Sequence, residues 1–443
     1  MKRNKLTIAG AVVLVLILLA GAWWYWAARF FTDPSVLWPQ RYIQAEEKLP
    51  ELDSPYTIGV KRGDGTYTMY LFSAPVQYKT PQGYRIIQNR IVPAEDGGFT
   101  VEGNPIAMQL PKTLRDPFTI TKNKEDHIEF RLEGADEYHS GRQTEYRNQY
   151  GDKVNAVVYE SDASTLAFYP VNTGLKCEIT YNENMEQSTI KFRMQFQGGI
   201  LREESERAFL FSKSNPVDAV FYPFYGMDKD TVVNPLPQAE LVGRDEFTLT
   251  TSVQAKKGRR MECSFEFYQN KIPDCTVYSK QDSHYLSATA LVGDQFQTGT
   301  GYHFMRFRFH YLMDMLADHL LSAKLYIKSL GGSGKPPVLY QAYGQWTSTQ
   351  MEWQQKYVFE TRLAEGKPQG GMLQFDITGF AKDCLEDDSM FTESQGGVLK
   401  TEPAGFQLLA TNDHALYIPY VAMNVKQLPD ALRVLENINP EEE

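Results

Sequence analysis

Cysteine is scarce in this chain: four residues among 443 (Cys177, Cys263, Cys275 and Cys384), with no CxxC pair. They are too few and too scattered for a disulfide framework or a zinc site, so cysteine is not what holds the fold together. The motifs HExxH and GxSxG and the phosphate-binding P-loop are also missing, which removes the commonest signatures of metalloprotease, α/β-hydrolase and nucleotide chemistry. Positive charge is in deficit, with 45 basic against 55 acidic residues and a formal net charge of -10. Nucleic acid is thereby excluded as a partner, because phosphate binding needs a net basic face. Long amphipathic helical patterns are lacking as well. Hydrophobic residues, by contrast, are not lacking: they make up 42% of the chain, aromatics 13%, and there are 26 tyrosines, so disorder is excluded and sizeable cores are expected.

One long apolar run is present. From Leu6 to Ala28 no residue is charged, and such a helix of roughly 34 Å would cross a hydrocarbon core of about 30 Å. Lys2, Arg3 and Lys5 precede the run and Trp23, Trp24, Tyr25 and Trp26 crowd its far end. This is the pattern of a cytoplasmic amino terminus followed by an interfacial aromatic belt. Residues 6-28 therefore predict a single-pass signal anchor at the cell membrane, with the bulk of the chain extracellular. The rival reading is a cleaved signal peptide, since Ala20-Gly21-Ala22 has the form of a cleavage site. Up to Thr32 there are four bases and no acids, which leaves 55 acids against 41 bases beyond the membrane. The outer portion is strongly acidic.

Residues 33–54, carrying Pro34, Pro39 and Pro50, read as a stalk. From Tyr56 the hydrophobic period is two rather than 3.6, as in Thr66 to Leu71, Ile128 to Leu132, Ala156 to Tyr159, Thr189 to Phe196 and Phe247 to Val253. Turn signals such as Asp64-Gly65, Pro81-Gln82-Gly83 and Asp96-Gly97-Gly98 recur at short intervals, which predicts antiparallel hairpins. The expected fold class is mainly β: an N-terminal transmembrane helix (1–32 with its cytoplasmic tip) followed by two antiparallel β-sandwich domains, 55–262 and 271–425, and an acidic tail, 426–443. In the second domain Met305 to Tyr311 and Ala323 to Lys328 alternate most clearly, and short helices are expected around Arg41 to Lys48 and Asp430 to Leu435.

A family resemblance rests on six pieces in order. They are Tyr302-His303-Phe304-Met305-Arg306-Phe307, Ser322 to Ile327, the tryptophans Trp346 and Trp353, Phe375-Asp376-Ile377-Thr378, Gly405-Phe406-Gln407-Leu408, and Ile418-Pro419-Tyr420. Together, over about Cys275 to Val425, they resemble the DNRLRE domain, a module of bacterial and archaeal surface proteins related to carbohydrate-binding jelly rolls. The first domain also looks like the region that precedes this module in wall-associated proteins of Gram-positive bacteria, on Ala74-Pro75-Val76-Gln77-Tyr78, Asn155 to Tyr159, Leu166 to Tyr169 and Gly174-Leu175-Lys176. Two departures stand out: the literal sequence that names the domain is missing, and Cys177 stands where a carboxylate often follows Lys176. The resemblance implies a jelly-roll-like second domain and a non-catalytic surface protein that binds cell-wall or other acidic polysaccharide.

The candidate site follows from charge on a strand pattern. Arg306 and Arg308, with Lys324, Tyr326 and Lys328 if the two strands share a face, form a basic row with one aromatic in an otherwise acidic protein. Such groups pair with the carboxylates or phosphates of a uronic or phosphorylated polymer; the competing reading is ordinary solvent-facing charge on a sheet. Trp346 and Trp353 would stack on sugar, but the resemblance makes them core. Asp282 with His284, and Asp413 with His414, read as solvated loop neighbours rather than acid-base pairs. No cofactor is expected. The acidic turns Asp228-Lys229-Asp230 and Glu386-Asp387-Asp388 could hold a structural Ca2+ or be plain loop charge. The alternative function is a polysaccharide-active hydrolase or lyase with its site in the first domain, where Glu203, Glu204 and Glu206 cluster.

Overall fold

The computed structural model describes residues 47–267 with short interruptions, and beyond them residues 275–281, 284–286, 301–307, 317–331, 336–342, 361–369, 372–386, 396–401, 407–409 and 420–427. Within these residues the protein is mainly β, built from several antiparallel sheets.

Residues 90–267 supply two large sheets. One has eight strands in the order Gln238–Leu241, Glu246–Ala255, Met185–Phe196, His127–Glu133, Phe118–Thr121, Ala107–Leu110, Phe99–Glu102 and Arg90–Pro93. The other has nine, running Arg142–Arg147, Lys153–Glu160, Ser164–Val171, Gly174–Tyr181, Arg260–Phe267, Ala219–Asp228, Phe209–Ser212 and Ile200–Glu204, with Thr231–Val233 also paired to the 219–228 strand. Period-two alternation explains how they meet. On Met185–Phe196 the side chains of Ile190, Phe192, Met194 and Phe196 are buried, whereas Arg193 and Gln195 between them are exposed. Such faces from both sheets share one core, in which the Phe130 ring stacks on Phe265 of the other sheet at 3.9 Å and Phe118 stacks on Phe168 at 4.2 Å. Each ring removed from water contributes about 1.5–3 kcal/mol, and well-placed aromatic pairs add about 0.5–1.5 kcal/mol. Gly174 is needed where two strands come close, because a Cβ there would lie 2.0 Å from the Phe265 carbonyl oxygen.

The second unit draws its strands from both sides of the first. Glu47–Lys48, Thr57–Lys61 and Tyr67–Phe72 lead into Tyr420–Val425, then Leu320–Gly331, Met372–Asp376 and Lys367–Gln369, with Gln407–Leu409 also on the 320–331 strand. Tyr67 is opposite Val425 and Phe72 opposite Tyr420. A six-stranded sheet (His284–Leu286, Cys275–Gln281, Gly301–Phe307, Gly396–Thr401, Val338–Ala342, Arg362–Glu365) contributes Leu339 to the same core as Leu325, Ile327, Phe375 and Val421. The Thr378–Glu386 helix closes that core with Phe380, Ala381 and Leu385; the Asp376 carboxylate accepts the Thr378 amide at its start, at 3.1 Å.

Two boundaries therefore differ from the expected ones. Residues 57–72 sit with the second unit by pairing, not with the first, because their hydrogen-bond partner is the strand nearest the carboxyl end of the described residues. Of the link expected around Cys263 to Pro273, residues 263–267 belong to the Arg260–Phe267 strand, which continues the first core through Phe265 and Phe267, and the remainder lies outside the described residues. Of the strand expected at Met305 to Tyr311, residues 305–307 lie on the strand Gly301–Phe307, and residues 308–311 lie outside the described residues. Among the described residues no helix is long and apolar enough to cross a membrane. The 6-28 span and both short helices expected at Arg41 to Lys48 and Asp430 to Leu435 lie wholly or largely outside the described residues.

Candidate functional site

The expected basic row does not form one row. Arg306 lies on Gly301–Phe307, opposite Thr276 and Gly396 in the six-stranded sheet, whereas Lys324, Tyr326 and Lys328 lie on Leu320–Gly331 in the other. The two strands are not neighbours, since Leu320–Gly331 takes its hydrogen bonds from 372–376 and 420–425. Arg308, Trp346, Trp353, Asp282, Asp413, His414 and Glu206 lie outside the described residues. Glu203 and Glu204 fall on the Ile200–Glu204 strand.

Lys324 and Tyr326 do share a face of their strand, because successive strand residues alternate sides, and Lys328 stands two positions further along, in register with Met372 and Leu409. Across the ladder Lys324 is opposite Asp376 and Ala422, and Tyr326 is opposite Gln374 and Tyr420. Tyr326 is half-buried: its ring stacks on Tyr420 with centroids 4.8 Å apart, and its hydroxyl donates to Gln374 Oε1 at 3.1 Å. The Tyr420 ring continues to Tyr70 and Phe72, at 6.0 and 5.6 Å. Further along this face a polar chain follows: Arg62 Nε donates to Thr68 Oγ1 at 2.6 Å, Thr68 to Asn424 Oδ1 at 2.6 Å, and Asn424 Nδ2 to Ser322 Oγ at 3.0 Å. Most of this face is buried: Thr68, Tyr70, Phe72, Tyr420 and Ala422 are covered and the aromatics join one core cluster with Val76 and Ile86, so that Ser322, Lys324 and Tyr326, each half-buried, form its accessible edge.

A second constellation, missed from the sequence, occupies the nine-stranded sheet on the face away from its aromatic core. Glu178 and Glu262 are directly opposite on neighbouring strands, as are Lys176 and Ser264 and, one step on, Thr180 and Arg260. All but Thr180 and Arg260 are buried, and Glu266 is buried beside them. The Lys176 ammonium holds Glu262 Oε1 at 3.0 Å, with the Tyr169 hydroxyl at 3.4 Å from the other oxygen. Glu178 receives Arg260 at 2.5 Å, the Tyr146 hydroxyl at 2.9 Å and the Gln149 amide at 2.9 Å. Arg260 in turn donates to the Asn148 carbonyl at 3.0 Å and lies over the Tyr146 ring.

Three carboxylates face two cations there. Burial lifts the Glu178 carboxyl to about 7; Arg260 pulls against this, Glu262 adds to the lift, and the Gln149 and Tyr146 bonds offset part of it. The short ion pair is therefore not enough to keep Glu178 an ordinary acid, since desolvation of a fully buried carboxylate outweighs one partly exposed guanidinium. Burial likewise raises the Tyr146 hydroxyl to about 12. Sequence carried a faint signal for this network: charged residues at 176, 178, 260, 262 and 266 alternate with Cys, Ile, Met and Phe, but alternation alone does not tell a solvated face from a buried one. Among the described residues no cluster of His, Cys, Asp and Glu is arranged to hold a metal ion.

The fold and these two faces define a multi-sheet antiparallel β protein. No protein-family model matches the sequence, and no curated protein matches it either. Among solved structures the chain is similar to a heparinase III gene product, at 9% identity and a TM-score of 0.18, over 64% of this chain and 45% of that one. The chain thus spans under half the length of that protein.

Proposed function

We propose that this is a membrane-anchored surface protein that binds an acidic cell-wall or envelope polysaccharide without cleaving it, its second unit acting as a jelly-roll-like, DNRLRE-like β-sandwich. The observation that carries this reading is the sheet face around Tyr326. There an aromatic ring stacked on Tyr420 lies beside Lys324 and across from Gln374, and a pyranose offers a matching C–H face and hydroxyl rim. Lys324 is a half-buried cation of this face in an acidic chain, and Arg306 belongs to a different sheet. The amino-terminal run Leu6 to Ala28 supplies the tether.

The second reading, a hydrolase or lyase in the first unit, draws on the opposed carboxylates Glu178 and Glu262, one of which titrates near neutrality. Against it, both are turned into the fold and engaged by Arg260 and Lys176. One experiment separates the two. The chain from residue 47 onward is passed over immobilised uronic polymers, and retention and chain length of the glycan are both read. Binding predicts retention that weakens as salt shortens screening from about 10 Å at 0.1 M to about 3 Å at 1 M. It also predicts loss of retention in Lys324→Ser/Lys328→Ser with the fold intact. Shortened glycan would favour the enzyme, and retention indifferent to salt and to both lysines would overturn the proposed face.

A further inference from the structure

Two of the four scattered cysteines are brought together by the fold. Cys177 and Cys263 are directly opposite on the neighbouring strands Gly174–Tyr181 and Arg260–Phe267, and both are buried in the shared core, with exposures of 0% and 2%. The backbone fixes the kind of pair. The Phe267 amide donates to the Thr173 carbonyl and the Tyr181 amide to the Arg259 carbonyl, each at 3.0 Å. Counting inward by twos from either end makes 177 and 263 a hydrogen-bonded pair, whose Cα atoms are about 5.5 Å apart. Disulfides span Cα separations of about 4.4–6.8 Å. Both are free thiols in this structure. As directly opposite residues of an antiparallel pair, both side chains leave the same face of the sheet.

We propose that Cys177 and Cys263 form an intramolecular disulfide across these two strands when the chain folds in contact with a disulfide oxidant. In the first step the thiolate of one cysteine attacks the oxidant, here oxidised glutathione, forming a mixed disulfide and releasing one glutathione thiolate. The second cysteine then attacks the protein sulfur of that mixed disulfide, the S–S bond of the cross-link forms and the second glutathione leaves. Two electrons pass to glutathione and the two thiol protons end on the two glutathione thiols. Core burial raises the Cys263 thiol well above its ordinary range, so the exchange belongs to folding, before the core closes, rather than to the finished protein. The bond would fasten the middle of the nine-stranded sheet, joining positions 86 residues apart in sequence (177 to 263). It depends on this strand register and not on the ligand or compartment proposed above.

The test uses the full chain carrying Cys275→Ala and Cys384→Ala, so that this pair alone remains. The protein is unfolded, refolded in a glutathione redox buffer, trapped with an alkylating agent under denaturing conditions and weighed. The expected result is a monomer with no alkylatable thiol, lighter than its reduced form by two hydrogens, a peptide linking 177 to 263, and two thiols restored by dithiothreitol. Two alkylatable thiols in refolded protein, glutathione left on either cysteine, or a disulfide-linked dimer would overturn the proposal. If that variant does not refold, the wild-type chain is isolated natively, incubated with oxidised glutathione at a denaturant concentration just below its unfolding transition, and mapped for the same cross-linked peptide. Its absence, with both thiols recovered, is the overturning result.

Discussion

Glu178 makes the stability of the first unit depend on pH in the direction opposite to that of a surface carboxylate. Its carboxyl titrates near 7 in the fold against an ordinary value of 4.5. Between these values the folded chain holds a proton that the unfolded chain has lost, so the folded state is progressively disfavoured as pH rises. The contribution is therefore fully present below about 4.5, falls as pH climbs, and is gone once pH passes the folded value. About two and a half pH units at about 1.4 kcal/mol each give roughly 3 kcal/mol across that window. Other groups titrate in the same range, so the informative quantity is a difference. Glu178→Gln keeps a neutral amide at the position, and Arg260 retains the Asn148 carbonyl and the Tyr146 hydroxyl. Urea unfolding of both proteins from pH 4 to 8 should show the variant gaining on the wild type by about 3 kcal/mol as pH rises. A difference that stays flat, or one that moves the other way, would mean that Arg260 holds Glu178 ionised throughout and that burial is the weaker influence.

Two further outcomes follow from particular contacts. Lys176→Met leaves Glu262 buried without its cation and should cost about 3–5 kcal/mol by chemical denaturation, most of which Lys176→Met combined with Glu262→Leu should recover; a single-variant cost under about 1 kcal/mol would remove the buried pair from the account. Residues 271–425 expressed alone should lack a single cooperative thermal transition, because the Tyr420–Val425 strand has lost Tyr67–Phe72, and covalently restoring residues 47–72 should bring the transition back. A cooperative melt of the short piece by itself would show that the pairing contributes little.

Local chemistry was legible in the sequence wherever one face of a strand is wet. Ile190, Phe192, Met194 and Phe196 alternate with polar residues, and the strand is where that pattern puts it. Partnership was not legible. Tyr67–Phe72 reads as the start of the first unit because its nearest neighbours in sequence are strands, whereas its ladder partner is some 350 residues away (72 to 420) and no local signal names it. The same gap undid the basic row, which required Gly301–Phe307 and Leu320–Gly331 to be adjacent merely because they are consecutive. The Thr378–Glu386 helix carries little signal in sequence, because its apolar residues, Phe380, Ala381 and Leu385, are too few for a clear helical period. Nothing local distinguishes the strands of the Lys176, Glu178 and Glu262 network from an outer strand face, because their partners Tyr146, Tyr169 and Arg260 come from other strands of the sheet.

The ladder between Tyr67–Phe72 and Tyr420–Val425 also sets an order of events on the ribosome. Residues 90–267 can pair among themselves as soon as they emerge, since both of their sheets are complete by Phe267. The 67–72 strand cannot. At about 5–20 residues per second, the roughly 350 residues that separate it from its partner take about 20–70 s to synthesise. Throughout that interval an apolar strand containing Met69, Leu71 and Phe72 has one edge unmatched. A chain built in this way has to keep its earliest strand from pairing with the same strand of a neighbouring nascent chain, and the hairpin Gln77–Thr80 with Gly83–Ile86, which contributes Ile86 beside Phe72 and Val76, is the first element available to cover it.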